Sequence, residues 1–264
     1  MTEEGSKIGD LITSLGVTLG EPSIAVVGCG GAGSNIVHGI YWDSNRLETV
    51  AVNTDEKHLR KTDAHRRVLI GKDVTFGKDA SGFPEIGEHC AEKARQVLKE
   101  ALRNYDIVFV VAGMGGGTGT GVAPIVTSVA KGLNALTFAI PIVPFEAEGK
   151  EKMRIAAAGV EKLRDAADFT IVLDNNRLTS MDAARDLPMS EAMKVIERSV
   201  VKIVETVSAQ TSSYVNTLMQ DITGCVDALE EPMVIPSPNE HAHERMLHAE
   251  FTPTFDSFDP SMFG

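Results

Sequence analysis

Six of the ten residues from Ala112 to Gly121 are glycine, in the run Ala-Gly-Met-Gly-Gly-Gly-Thr-Gly-Thr-Gly. The apolar stretch Ile107-Val-Phe-Val-Val111 precedes it, and a helical pattern from Val122 to Leu133 follows. Strand, glycine loop and helix in that order present backbone N–H groups to an anion at the positive end of a helix. A strand-to-helix turn needs only one or two glycines for its backbone angles. Six therefore point to close contact with a polyphosphate, with the Thr118 and Thr120 hydroxyls as further donors.

A second glycine turn, Gly28-Cys-Gly-Gly-Ala-Gly33, follows the apolar run Ile24-Ala-Val-Val27 and precedes a helix over Asn35 to Tyr41. Further strands are expected at Val50 to Asp55, Arg67 to Ile70, Thr137 to Ile140 and Phe169 to Leu173. Helices are expected at Glu88 to Leu102 and Gly149 to Leu163, and Thr75 to Gly87 reads as a loop. Pro188 to Asp227 follows one long helical pattern, broken around Gln210 to Ser213. Strands alternating with helices at this spacing imply a parallel α/β sheet. Ligands of such sheets bind outside the carboxyl ends of the strands, where the glycine and polar residues of this chain concentrate.

The 264 residues suffice for one large domain or two small ones, and their net charge of −12 comes without any basic cluster. Nucleic acid is thereby disfavoured as a partner, and so is a membrane held by surface charge. The N-terminus lacks a signal-peptide core, and no run reaches membrane-spanning length, so the expected setting is cytoplasmic. Cys29, Cys90 and Cys225 are widely spaced and fit no metal site. His241, His243 and His248 lie in a Pro-containing tail without a nearby cysteine, so no metal site is assigned. Residues 1–22 read as an N-terminal extension that includes a short helix from Ile8 to Leu15. Residues 23–229 read as the nucleotide-binding domain and 230–264 as a disordered tail. Phe251, Phe255, Phe258 and Phe263 punctuate that tail. It either packs back on the domain or offers a short motif to an adaptor protein.

Taken alone, Gly28 to Gly33 with Asp55 at the end of the second strand suggests a dinucleotide-binding dehydrogenase using NAD. Two glycine loops after neighbouring strands suit a nucleoside di- or triphosphate better. No G-x-x-x-x-G-K-[ST] run is present, so the chain is not a P-loop enzyme.

Where GMGGGTGTG joins GCGGAGSN, the chain resembles the tubulin/FtsZ superfamily, and within it archaeal FtsZ, the division-ring GTPase. The resemblance runs over roughly residues 8 to 208 through AVVGCGGAGSN, AVNTD, VLIGKDVT, PEIGE, PFEAEGKEKM, IVLDNNRL and LPMSEAMKVIERSV. It implies a parallel Rossmann-like sheet with a long central helix, here without the family's second sheet domain. It also implies GTP or GDP as ligand, with Mg²⁺ able to accompany GTP. Gly30, Gly31, Ala32, Gly33, Ser34 and Asn35 would line the nucleotide from the first loop. Gly115, Gly116, Gly117, Thr118, Gly119, Thr120 and Gly121 would cradle the phosphates, and Ala80 and Ser81 would face the γ-phosphate. Glu148 would meet the ribose, with Lys152 at the family's basic position. Asn175 and Glu197 would read guanine, and Met193 would cover the base where the family has an aromatic.

Two departures from the family pattern bear on activity. Asp79 replaces a glycine in the loop GKDASGFPE and sets a carboxylate near the γ-phosphate. In the family, the loop N-x-D-x-x-D enters the next subunit's site in the filament and organises water and cation there. The corresponding stretch here, Tyr214 to Asp221, keeps Asn216 and Asp221 if two residues are inserted, with Leu218 in place of the first acid. Without the insertion, Asn216 and Met219 fall on the acid positions; a plain helix start with no catalytic role is the other reading. The resemblance thus implies a cell-division or filament-regulating protein with weak or assembly-dependent GTPase activity. Its partner at the nucleotide face would be itself or a full-length homologue. A self-polymerising GTPase with a rebuilt interface is the alternative.

Overall fold

The computed structural model describes residues 22–43, 47–180 and 189–230. The chain divides into two compact units after Met219; the described part of the second is helical from Gln220 to Glu230.

In the first unit, strands and helices alternate. They are β1 (Ile24–Cys29), α1 (Gly30–Asp43), β2 (Glu48–Asn53), α2 (Glu56–Lys61), β3 (Arg66–Leu69), α3 (Lys72–Thr75), α4 (Pro84–Lys93) and α5 (Arg95–Leu102). Then come β4 (Ile107–Gly113), α6 (Gly117–Lys131), β5 (Leu136–Val143), a 3₁₀ turn (Glu146–Glu148) and α7 (Lys150–Ala166). The series ends with β6 (Phe169–Thr170), β7 (Leu173–Asp174), α8 (Asn175–Ser180) and α9 (Met189–Glu230), whose residues up to Met219 belong to this unit. The strands pair in the order β3-β2-β1-β4-β5-β6, with β7 also on β5. All pairings are parallel. The order reverses between β1 and β4, so the two glycine turns leave adjacent strands at one point of the sheet edge.

Central strands of a parallel sheet are covered on both faces and read as continuous apolar runs. One face packs Val27, Val108 and Val110 with Leu98, Val122, Val126 and Leu163 from α5, α6 and α7. The other packs Val26, Phe109 and Ile140 with Ile36, Val37 and Ile40 of α1. Helix α9 joins that second face through Ile196, Val200 and Val204, one residue per turn on a single stripe.

The structure departs from the sequence reading in several places, and the expected helix Glu88 to Leu102 is two helices, α4 and α5, separated at Ala94. Helices α1 and α6 begin inside the glycine runs, earlier than their apolar periodicity signals. Helix α4 starts at Pro84, within the expected loop, because proline's fixed φ and missing N–H suit a first helical position. The expected strand Phe169 to Leu173 is two short pieces, both on β5. Helix α9 runs through Gln210 to Ser213 without a break. There Thr206, Ser208 and Thr211 turn their hydroxyls back onto the carbonyls of Lys202, Val204 and Val207 instead of ending the helix. The expected helix Ile8 to Leu15 and the tail from Glu231 lie outside the described residues.

Asp168 ties the far edge of the sheet together. Its carboxylate pairs with Lys131 at 2.8 Å and accepts from the Thr137 hydroxyl at 2.7 Å and the Thr137 N–H at 2.9 Å. The Lys131 contact, then the two Thr137 donors, hold its pKa down at about 2 from 3.8. A carboxyl depressed in the folded state stabilises it above the unfolded pKa and loses that contribution as pH falls through the folded value. Asp168→Asn should therefore cost about 1–2 kcal/mol in urea unfolding at neutral pH, and the deficit should shrink between pH 4 and 2. A deficit that does not change with pH would assign the loss to packing.

Candidate functional site

A cleft of about 640 Å³ runs along the carboxyl edge of the sheet, within the size range of cofactor sites. It is built from the end of each strand in turn. Asn53 closes β2, Gly31 and Ala32 open α1 after β1, and Gly116 to Gly119 open α6 after β4. Pro144 and Phe145 follow β5, and Asn175 follows β7. From β2 to β7 this edge spans four strand spacings, roughly 19 Å. The loop Asp79 to Gly82 borders the β2 side, and Glu148 and Lys152 face it from the turn and helix after β5.

Helix α6 begins at Gly117 after Gly116, with no side-chain cap, so its first N–H groups have no intrahelical partner. These groups and the helix dipole make the middle of the cleft electropositive without a formal charge. Among the described residues, Lys152 is the one lysine or arginine lining the cleft, and it binds Glu148 at 2.7 Å. Burial raises the Glu148 pKa, but the Lys152 contact, the Phe145 N–H and the Lys152 charge together leave it lowered.

Two buried polar atoms on the cleft have no hydrogen-bond partner: Asn53 Nδ2 near the β2 end and Asn175 Oδ1 at the β7 end. Ser34 Oγ is a third such atom, under the first turn. An unpaired buried donor or acceptor costs roughly 1–3 kcal/mol, so each points to a group that would complete it.

The family model described as Tubulin/FtsZ family, GTPase domain, matches residues 23–182. The chain belongs to the tubulin/FtsZ family. Cell division protein FtsZ 2 of Halobacterium salinarum is 41% identical over 211 residues, covering 79% of this chain and 53% of that protein. FtsZ 2 of Methanocaldococcus jannaschii is 41% identical over 197 residues, covering 72% and 49%. The chain thus spans about half the length of the curated relatives it matches. Among solved structures, a point mutant of FtsZ from M. jannaschii superposes with a TM-score of 0.69 at 37% identity, covering 77% of this chain and 60% of that one. An empty FtsZ dimer from the same organism superposes with a TM-score of 0.68 at 35% identity, covering 79% and 59%.

Of the residues that the FtsZ resemblance assigns to the nucleotide, eleven line the cleft: Gly31, Ala32, Ala80, Ser81, Gly116, Gly117, Thr118, Gly119, Glu148, Lys152 and Asn175. The others have different surroundings. The Thr120 hydroxyl accepts from Gly115 N–H at 2.9 Å inside the turn and is not among the lining residues. The Thr118 hydroxyl is shared with Thr54 at 2.9 Å and also meets Ala80 N–H at 3.4 Å. Gly30, Gly33, Ser34, Gly115 and Gly121 support the turns from behind the lining, and Asn35 binds His58. Glu197 is not among the lining residues; its carboxylate lies over Gly39 of α1, where any side chain would collide with it. The side chains of Met193, Asn216 and Asp221 lie outside those described.

The dehydrogenase reading is corrected. Asp55, its proposed ribose ligand, instead caps α2 by accepting from the N–H groups of Lys57 and His58. Cys29 offers no nucleophile, since full burial pushes its thiol far above the ordinary range. Sequence reasoning placed Asn53, Pro144 and Phe145 in the loops at the carboxyl edge without giving them a role, and it missed His58, which lies on α2 beyond the loop after β2.

The glycine run also does more than approach an anion. A methyl group on Gly121 would overlap the Pro84 carbonyl oxygen of α4, whereas one on Gly116 would meet nothing within 4 Å. Gly121→Ala should therefore destabilise the fold by about 2–4 kcal/mol through overpacking. Gly116→Ala should stay within about 1 kcal/mol of the parent while weakening any ligand held at the α6 terminus. Thermal melts of the two variants check this, and equal losses would contradict the assignment.

Proposed function

We propose that this chain binds a guanine nucleotide, GTP or GDP, in the cleft and acts as an FtsZ-like cytoskeletal protein in cell division or filament regulation. The two orphaned amides carry the reading. Asn175 Oδ1 is a lone acceptor at the β7 end, and guanine presents donors there through N1–H and its exocyclic amine. Asn53 Nδ2 is a lone donor near the β2 end, suited to phosphate oxygens beside the first turn of α6. Glu148 and Lys152 lie between them in strand order, where the family's ribose-binding acid stands. The curated FtsZ relatives support the assignment to cell division.

Hydrolysis is weak in the isolated molecule on this reading. A water attacking the terminal phosphate needs a group to orient it or accept its proton. Among the described residues, the carboxylates lining the cleft are Asp55, Asp79 and Glu148, and each already holds a partner. Asp55 caps α2, Asp79 accepts from Ser81 N–H at 2.9 Å, and Glu148 holds Lys152 and Phe145 N–H. The missing acid would come from a full-length homologue seated on the nucleotide face. Asp79 sits on the loop bordering the phosphate end and, with Lys78 and Mg²⁺, would set the balance between GTP and GDP. An adaptor contact through the Phe-containing tail belongs to the same proposal.

The FtsZ dimer among the similar structures favours one further reading, in which copies of this chain complete one another's sites. GTP turnover measured across a concentration series, with and without a full-length FtsZ, separates the two. The proposal predicts a flat, near-zero rate alone and a changed rate in the mixture. A rate per molecule that climbs steeply with the chain's own concentration would favour the self-assembling GTPase. Substantial turnover independent of concentration would overturn both.

A further inference from the structure

We infer that His58 is a pH-dependent phosphate contact of the cleft, an inference that rests on the nucleotide reading above. His58 sits on α2 and lines the cleft. Its Nε2 lies 3.0 Å from Asn35 Oδ1 on α1. An amide oxygen only accepts, so Nε2 carries the hydrogen, and the neutral ring keeps a bare lone pair on Nδ1. The opposite edge of the ring turns toward the first glycine turn. A methyl group on Gly31 would lie 3.7 Å from Cε1 and 3.9 Å from Nδ1. Gly31 is exposed on the cleft at the start of α1, where backbone N–H groups favour an anion.

In this arrangement the two protonation states act in opposite directions on a phosphate beside Gly31. Neutral His58 presents a lone pair and repels it. Protonated His58 keeps its Asn35 bond through Nε2–H and gains an Nδ1–H donor with a positive charge. Lys57, Arg60 and Lys61 share the short α2 helix with His58, and Arg60 pairs with Glu56. Asp55 caps the His58 helix, and His38 of α1 accepts from Asp63 N–H through Nδ1. Strands β2 and β3 end in Asn53 and Leu69, which do not ionise, and Arg66 of β3 is turned to Ala101 O. Across the cleft, Glu148 holds Lys152 and Asp79 holds Ser81. Proton uptake by the ring would thus add a donor and a positive charge at the β2 end.

The test is calorimetric titration of the full chain with GDP and with guanosine, at about pH 6 and about pH 8. GDP should bind about three- to tenfold tighter at the lower pH, and guanosine, which has no phosphate, should bind equally at both. His58→Gln should flatten the GDP dependence while still binding GDP. Asn35→Asp, which sets a carboxylate against Nε2, should keep the dependence and move it to higher pH. A GDP dependence that survives in His58→Gln, or that guanosine shares, would overturn the inference while leaving the nucleotide reading intact. No binding of either ligand at either pH would bring down both.

Discussion

The close approach of two backbone turns at the centre of the sheet edge is the constraint on which the rest of this structure depends. Strands β1 and β4 are adjacent and parallel, so the chain leaves both at the same place and must turn twice in little space. Gly30 sits there at φ +72°, and a methyl group on it would come within 2.6 Å of Gly119 N. Only residues without a Cβ let α1 and α6 start side by side. That contact aligns the first-turn N–H groups of both helices on one cleft and fixes where Asn53 and Asn175 stand relative to them.

The cleft obtains its positive character from backbone rather than from formal charge. Its single lysine is held by Glu148, and the protein as a whole carries a net charge of −12. Anion affinity in such a setting comes from oriented N–H groups and the α6 dipole, which need no side-chain reorganisation. The carboxylates lining the cleft also have structural partners. Each serves to cap a helix, close a turn or hold a lysine.

Much of this was legible in the sequence because the constraint itself is written in glycine. The two glycine turns, the alternation of strands and helices, and the position of the cleft follow from local pattern. What the pattern hid were choices made by tertiary contacts. Gly117 and Gly121 read as phosphate contacts, yet their missing side chains also make room for Ala80 and for the Pro84 carbonyl. Thr120 read as a phosphate donor, and its oxygen also accepts from Gly115 N–H. Glu197 and Asn175 read as partners on one base, yet Asn175 lines the cleft while Glu197 lies over Gly39. His58 escaped notice because its role arises only when α2 folds against Asn35, 23 residues away in the chain.

The most direct test of the account is calorimetric comparison of GDP and ADP binding to the full chain. A buried acceptor aimed at a base edge discriminates by leaving itself unpaired against the wrong base. The account predicts GDP binding that ADP fails to match by at least about a hundredfold. Equal affinity for the two would show that the cleft holds phosphates without reading guanine, and would contradict the role given to Asn175.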